Sequence, residues 1–117
     1  MLINYPMNAY VEAKPVVLRT TVLGVRVEVE ASPVSYSWSF GDGGVLVTED
    51  AGGPYPDMTT SHEYRRPGRY RVSLATTYEG RFRVVGSEDW LPVDGTATVG
   101  SPAVLVEAEE TRAVLVP

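Results

Sequence analysis

The chain has 117 residues, 44% hydrophobic and 21% charged, so it is long enough to bury the core of one domain. Its net charge of -5 argues against nucleic-acid binding, which favours a basic surface, and its lack of cysteine excludes a disulfide framework and a thiolate metal site. No apolar run approaches the roughly 20 residues of a membrane-spanning helix, so direct membrane insertion is not expected.

Alternation of apolar and polar residues with a period of two dominates the N-terminal half of the chain. This pattern predicts antiparallel strands with one solvated face. The alternation places Tyr36, Trp38 and Phe40 on one face of a strand that ends in a glycine-rich turn. The strands predicted in this half cover residues 16–21, 23–30, 35–40 and 45–48.

The C-terminal half continues the pattern after one long loop at residues 50–57. Asp94-Gly95 is a strong two-residue hairpin signal between the strands on either side of it. Residues 107–110 suit one helical turn and no more. The strands predicted in this half cover residues 59–64, 70–74, 80–85, 90–93, 96–99, 103–106 and 113–116. Many short strands with Gly/Pro turns indicate a sandwich or barrel.

Two motifs occur in a fixed order along residues 16–77. They are Trp38 with Phe40-Gly41-Asp42-Gly43, and His62-x-Tyr64 with Pro67-Gly68 and Tyr70-x-Val72-x-Leu74. In this combination the chain resembles the PKD domain, named after polycystic kidney disease. The resemblance implies an all-β, immunoglobulin-like (PKD-type) antiparallel β-sandwich formed by residues 1–117, with an extra C-terminal hairpin or flap at 79–99. That longer segment resembles a variant in PKD-containing exported proteins of actinobacteria.

The residues of these motifs suit structural roles. Trp38 and Phe40 share a strand face and would fill a sandwich core. Asp42 would bond backbone N–H groups of its own turn, and the Tyr64 hydroxyl would bond backbone at a corner. His62, the one histidine, is expected to bond near the Phe-Gly-Asp-Gly turn rather than act as a general base or metal ligand.

No catalytic constellation is found, so the chain is not expected to be an enzyme or to carry a cofactor. No serine lies in a Gly-x-Ser-x-Gly elbow, and adjacent carboxylates on a strand point to opposite faces. Calcium is the one metal considered, with Asp42, Asp50 and Asp57 as weak loop candidates, although no Asp-x-Asp-x-Asp-Gly spacing exists. Bound calcium would raise the melting temperature.

Two further groups are candidates for binding. Arg71, Arg81 and Arg83 belong to an arginine-rich stretch that would form either a basic stripe for an anionic partner or a solvated face paired with glutamates such as Glu28 and Glu30 across strands. Tyr55 and Trp90 would stack on sugars or anchor a protein interface. For Trp90, covering the extra hairpin is the equal alternative. Tyr55 lies between two prolines, which favours a rigid, exposed display.

The resemblance implies a non-catalytic extracellular or cell-surface module for adhesion, protein interaction or spacing, with a protein or a cell-surface glycan as partner. A second hypothesis is a structural or decoration protein of a phage virion, because the chain starts at Met1 without a signal peptide. A third is a glycan-binding module. The oligomeric state is left open.

Overall fold

The structure, a computed structural model, describes residues 2–110, which form nine β-strands and no helix. The strands are β1 Pro6–Asn8, β2 Val16–Val22, β3 Val25–Ser39, β4 Val45–Thr48, β5 Ser61–Glu63, β6 Gly68–Val84, β7 Leu91–Pro92, β8 Ala97–Gly100 and β9 Val104–Ala108. Over these residues no helix is therefore available to cross a membrane. The predicted strand at 113–116 lies outside the described residues.

The core lies between two layers of antiparallel strands. One layer is the two-stranded sheet of β1 and β5, and the other is built on β3 and β6. Trp38 and Phe40 are buried between them, 7% and 1% exposed, as their shared strand face predicted. The remaining buried members of the core are Ala9, Tyr36, Tyr64, Val72, Leu74 and Ala108. The all-β, immunoglobulin-like sandwich is confirmed.

The two longest strands each combine two of the predicted strands. The prediction of separate strands at 23–30 and 35–40 was wrong, because β3 continues through Pro33 with a register shift between Pro33 and Ser35. A bulge there accommodates a residue that cannot donate to the ladder. In the same way the strands predicted at 70–74 and 80–85 belong to the one strand β6, which ends at Val84. Its 17 residues extend about 56 Å, and the molecule measures 77 × 24 × 17 Å.

The distal part of this sheet projects beyond the core. We call it the arm and define it as β2, residues 25–32 of β3, residues 78–84 of β6, and β7. A two-residue turn joins β2 to β3, with φ of 49° at Leu23 and 77° at Gly24. Positive φ at both residues is the type I′ geometry that matches strand twist. Leu23 therefore lies in a turn and not in the strand predicted from its alternation with Val25.

The hairpin at 79–99 turns at a different place from the one predicted. Its turn lies between β6 and β7, where Gly86 has a φ of 94° and the Ser87 N–H donates to the Val84 carbonyl. Both β7 and β8 pair antiparallel with β6. Asp94-Gly95 is therefore a break between two successive strands that both run along β6, and β7 and β8 do not form a hairpin with each other. The helical turn predicted at 107–110 was also wrong, because β9 pairs with β6 through Ala108.

Candidate interaction surfaces

The glycine-rich turn after β3 and strand β5 are joined by side-chain contacts. The buried Tyr64 hydroxyl donates to the Phe40 carbonyl oxygen over 2.8 Å. The Gly44 N–H donates to Asp42 Oδ1 over 2.8 Å, and Asp42 Oδ2 lies 2.7 Å from His62 Nε2. The His62 ring stacks on Phe40 with centroids 4.1 Å apart. The structural roles predicted for Asp42, His62 and Tyr64 are confirmed.

Protonation of this corner follows from the same contacts. Partial burial of Asp42 opposes its ionisation, but the hydrogen bonds from Gly44 and His62 outweigh burial and keep the pKa of its carboxyl below the ordinary value. Burial, with a smaller contribution from the charge of Asp42, raises the pKa of Tyr64 to about 12. At neutral pH the Asp42 carboxylate therefore accepts hydrogen bonds and the neutral Tyr64 hydroxyl donates one.

The three calcium candidates each close a turn of their own. Each side chain accepts a hydrogen bond from the N–H two residues ahead: Asp42 from Gly44, Asp50 from Gly52 and Asp57 from Thr59. Among residues 2–110, no group of three or more His, Asp or Glu side chains is placed to share a metal ion. The structure does not bring these carboxylates together, and calcium binding stays a prediction for a melting experiment.

The arginines do not form a single stripe. Arg71 and Arg83 are 12 residues apart on β6, which is about 40 Å along an extended strand. The Arg81 guanidinium contacts Glu30 Oε1 at 3.1 Å, and Arg83 Nη2 lies 3.2 Å from Glu28 Oε1. For the two arm arginines, the pairing with glutamates across strands is the alternative that the structure shows.

The two candidate aromatic residues lie in different environments. Trp90 is half-buried under two guanidinium groups, with Arg81 Cζ 4.2 Å and Arg83 Cζ 4.6 Å from its ring centroid. These cation–π contacts attach the segment before β7 to the arm, so the indole covers the hairpin. Tyr55, in contrast, is 83% exposed.

One face of the arm is apolar and was not identified as a surface from the sequence. Residues directly opposite each other in an antiparallel ladder point to the same face. The register therefore defines a valine face, whose members are Val16, Leu18, Thr20, Val22, Val25, Val27, Val29, Ala31, Tyr78, Gly80, Phe82, Val84 and Leu91. The face contains no Asp, Glu, Lys, Arg or His side chain. Leu18, at 58%, is among the exposed members, whereas Val27 on the central strand β3 is 9% exposed.

The valine face continues the core-facing side of β6. Val72 and Leu74 on that side are buried beneath β5 and the N-terminal segment, which we define as residues 2–11, whereas Val84, ten residues beyond Leu74, is exposed. Within residues 2–110 no second layer covers the arm on this side. The alternation of residues 16–31 signals an apolar face, but a strand pattern is the same whether or not another layer covers it.

The opposite face of the arm is polar, and most of its charges are paired across strands. Glu28 lies between two arginines, with Oε2 3.6 Å from Arg19 Nε and Oε1 3.2 Å from Arg83 Nη2. Arg81 pairs with Glu30. The arm is therefore an amphipathic sheet with its charges on one side.

Comparison with known proteins supports the resemblance. Residues 7–78, more than half of the chain and including both motifs, match the PKD domain. No similar chain is found among curated proteins or solved structures, so no relative supports the expected likeness to actinobacterial proteins. PKD domains are immunoglobulin-like, non-catalytic modules and are typically extracellular. The match and the two-layered antiparallel fold together show that this chain belongs to the PKD domain family.

Proposed function

We propose that this chain is a non-catalytic extracellular or cell-surface module that mediates protein interaction and spacing, with the valine face as its contact surface. The uncovered valine face carries the proposal. Apolar area exposed to water is costly, and large contiguous apolar patches on soluble domains mark interaction sites. The family supports a non-catalytic extracellular role in general terms.

The dimensions of the molecule support the spacing role. The arm lengthens the molecule into a rod that is 77 Å long and 24 Å wide. A contact surface on the arm lies away from the core, so a partner bound there and a segment attached to the core would be kept apart. The paired charges of the polar face stay in water when the valine face is covered.

A sedimentation assay with cell envelopes of the source organism tests this function. Leu18→Lys places a charge on the valine face, where Leu18 pairs with Val29. We expect at least about a tenfold loss of retention on the envelopes, because a partner would have to bury that charge. The matched control is Val17→Lys, on the same strand and 51% exposed. Val17 faces Glu30 on the polar side, so this variant should be retained like the wild type.

Both variants need an intact core for the comparison to be valid. Circular dichroism and thermal unfolding should show wild-type folding, because Leu18 and Val17 are exposed on edge strand β2 and lie outside the buried core cluster. Equal retention of the wild type and Leu18→Lys would contradict the proposal. Detection of the chain in purified virions by mass spectrometry would instead favour the virion hypothesis.

Glycan binding is a second candidate, favoured by the exposure of Tyr55 between Pro54 and Pro56. An exposed aromatic ring offers an apolar face that a sugar ring can cover. In this case Tyr55→Ala should reduce retention on insoluble cell-wall polysaccharide while Leu18→Lys is retained. If instead Leu18→Lys loses retention and Tyr55→Ala keeps it, the valine face is responsible for retention.

A further inference from the structure

We infer that the partner of the valine face is a second copy of this chain, and that the two arms pack face to face. The inference rests on the proposed function, since it names the partner of the same surface. A sheet with one apolar face needs a second layer to bury that face. At the core end the N-terminal segment and β5 provide this layer. In the arm, the equivalent layer would be the arm of the second copy.

The surface area of the chain is large enough for such an interface. The chain exposes 8560 Å², whereas a compact monomer of 12.7 kDa exposes about 6,200 Å². The radius of gyration is 19.9 Å, against about 13 Å for a compact domain of this length. This surplus of about 2,300 Å² is spread over both faces of the elongated chain. The valine face contributes to it through six apolar residues that are 44–58% exposed, namely Val16, Leu18, Val22, Val25, Val84 and Leu91, and a standard interface buries roughly 800 Å² on each partner. A symmetric contact removes exposed apolar area from both copies at once.

The charge distribution favours self-association through this face. The chain carries a net charge of -5, so two copies repel each other in general. The valine face has no Asp, Glu, Lys, Arg or His side chain, and a two-fold symmetric contact through it brings no like charges together. The paired arginines and glutamates of the polar face remain on the outside of such a dimer.

The position of the core determines the direction of packing. The N-terminal segment and β5 lie over the same side of β6 as the valine face, so two parallel copies would bring these layers into collision. With the arms antiparallel, each turn at Leu23 lies toward the partner's core and the two valine faces overlap. Two sheets stacked this way form a sandwich with a layer spacing of about 10 Å.

Analytical ultracentrifugation over a concentration series tests the inference. The wild type should sediment at twice 12.7 kDa at concentrations of about 10–100 µM. Val17→Lys should form the same dimer. Leu18→Lys should sediment as a folded monomer, with dimer affinity at least about 100-fold weaker, because the lysine would be buried without a partner.

Spin labels test the direction of packing. The chain has no cysteine, so Leu23→Cys provides a single labelling site at the tip of the arm, where Leu23 is 99% exposed. Antiparallel arms that overlap over seven residues should separate the two labels by more than about 20 Å. A separation of about 10 Å would overturn the antiparallel arrangement.

Each outcome bears on either self-association or the proposed function. A wild type that stays monomeric at about 500 µM overturns self-association, and so does a Val17→Lys variant that dissociates as readily as Leu18→Lys. If the wild type is monomeric while Leu18→Lys alone loses envelope retention, self-association is wrong and the proposed function stands. If the dimer forms and the envelopes retain no chain, self-association stands and the proposed function is wrong.

Discussion

At the scale of single residues, Asp42 has a role in folding. Its two carboxylate oxygens are occupied by the Gly44 N–H and by His62, and His62 in turn stacks on the buried Phe40. Beneath them the Tyr64 hydroxyl satisfies the Phe40 carbonyl, a buried group that would otherwise cost about 1–3 kcal/mol. The conspicuous motif of the sequence is thus the corner that positions the strands of the core.

The lowered pKa of Asp42 predicts a contribution to acid sensitivity. Because the folded-state pKa lies below the unfolded value of about 3.9, the stabilisation is present above that value and is lost as pH falls through the folded-state pKa. Asp42→Asn keeps an acceptor for the Gly44 N–H but removes the charge. We expect this variant to be less stable at neutral pH and to lose less stability than the wild type between about pH 5 and 2.

Urea unfolding at a series of pH values measures this effect. Asp94→Asn, which removes an exposed carboxylate from the bend between β7 and β8, is the control and should keep the wild-type pH profile. Part of the acid sensitivity should remain in Asp42→Asn, because hydrogen bonds from Thr59 also lower the pKa of Asp57. Parallel pH profiles for Asp42→Asn and the wild type would contradict the prediction.

At the scale of elements, the arm depends on the turn between β2 and β3. Leu23 adopts a φ of 49° with its side chain almost fully in water. A left-handed conformation costs a non-glycine residue about 1–2 kcal/mol, and an exposed leucine offers no packing in return. The turn is therefore formed because the flanking strands pair from Val22–Val25 onwards, and not because Leu23 favours it.

Leu23→Asn should stabilise the arm by about 1 kcal/mol, because Asn-Gly is the preferred type I′ sequence and asparagine tolerates positive φ. Hydrogen exchange of the β2 and β3 amides measures the local effect, and slower exchange is expected. Leu23→Ala is the matched control, since it removes the same apolar side chain but leaves a residue that disfavours positive φ. Equal protection in the two variants would show that side-chain exposure, and not the backbone, limits the turn.

At the scale of the whole molecule, the strands β3 and β6 make the domain a rod. The outer halves of these strands extend past the residues that the N-terminal segment and β5 cover. The same sheet is therefore one layer of the sandwich at one end and the uncovered arm at the other. On the polar face Arg19, Arg81 and Arg83 pair with Glu28 and Glu30, and these charges stay in water. The valine face is the uncharged side of the arm, so the two faces of the arm differ in chemistry.

Small-angle X-ray scattering tests the extended shape without interference from association. For Leu18→Lys at low concentration we expect a radius of gyration close to 19.9 Å, because the ladder between β3 and β6 keeps the arm extended. A value of about 13 Å would mean that the arm folds back on the core. In that case the valine face would be covered within one chain, and the interaction proposals would be wrong.

Much of the fold could be predicted from the sequence because its signals are local. Alternation with a period of two identified most strands, and the spacing of Trp38 and Phe40 identified core residues. The motif around Asp42 and Tyr64 predicted the corner and the family. The loop aspartates and the arginines were named as candidate sites from residue type alone. Residue type did not show that Asp50 and Asp57 close turns of their own, as Asp42 was predicted to do. It also left open whether Arg81 pairs with Glu30 or belongs to a free basic stripe, and the strand register decided for the pair.

The sequence by itself determined which side of each strand is apolar, because side-chain direction alternates with every residue. Only the tertiary structure decided how long β3 and β6 are, where the hairpin after β6 turns, and which part of the apolar side is covered. Strand length and register depend on the neighbouring strand, and coverage depends on the reach of a second layer from elsewhere in the chain. The valine face is apolar by sequence, and it is exposed because the N-terminal segment and β5 end before the arm begins.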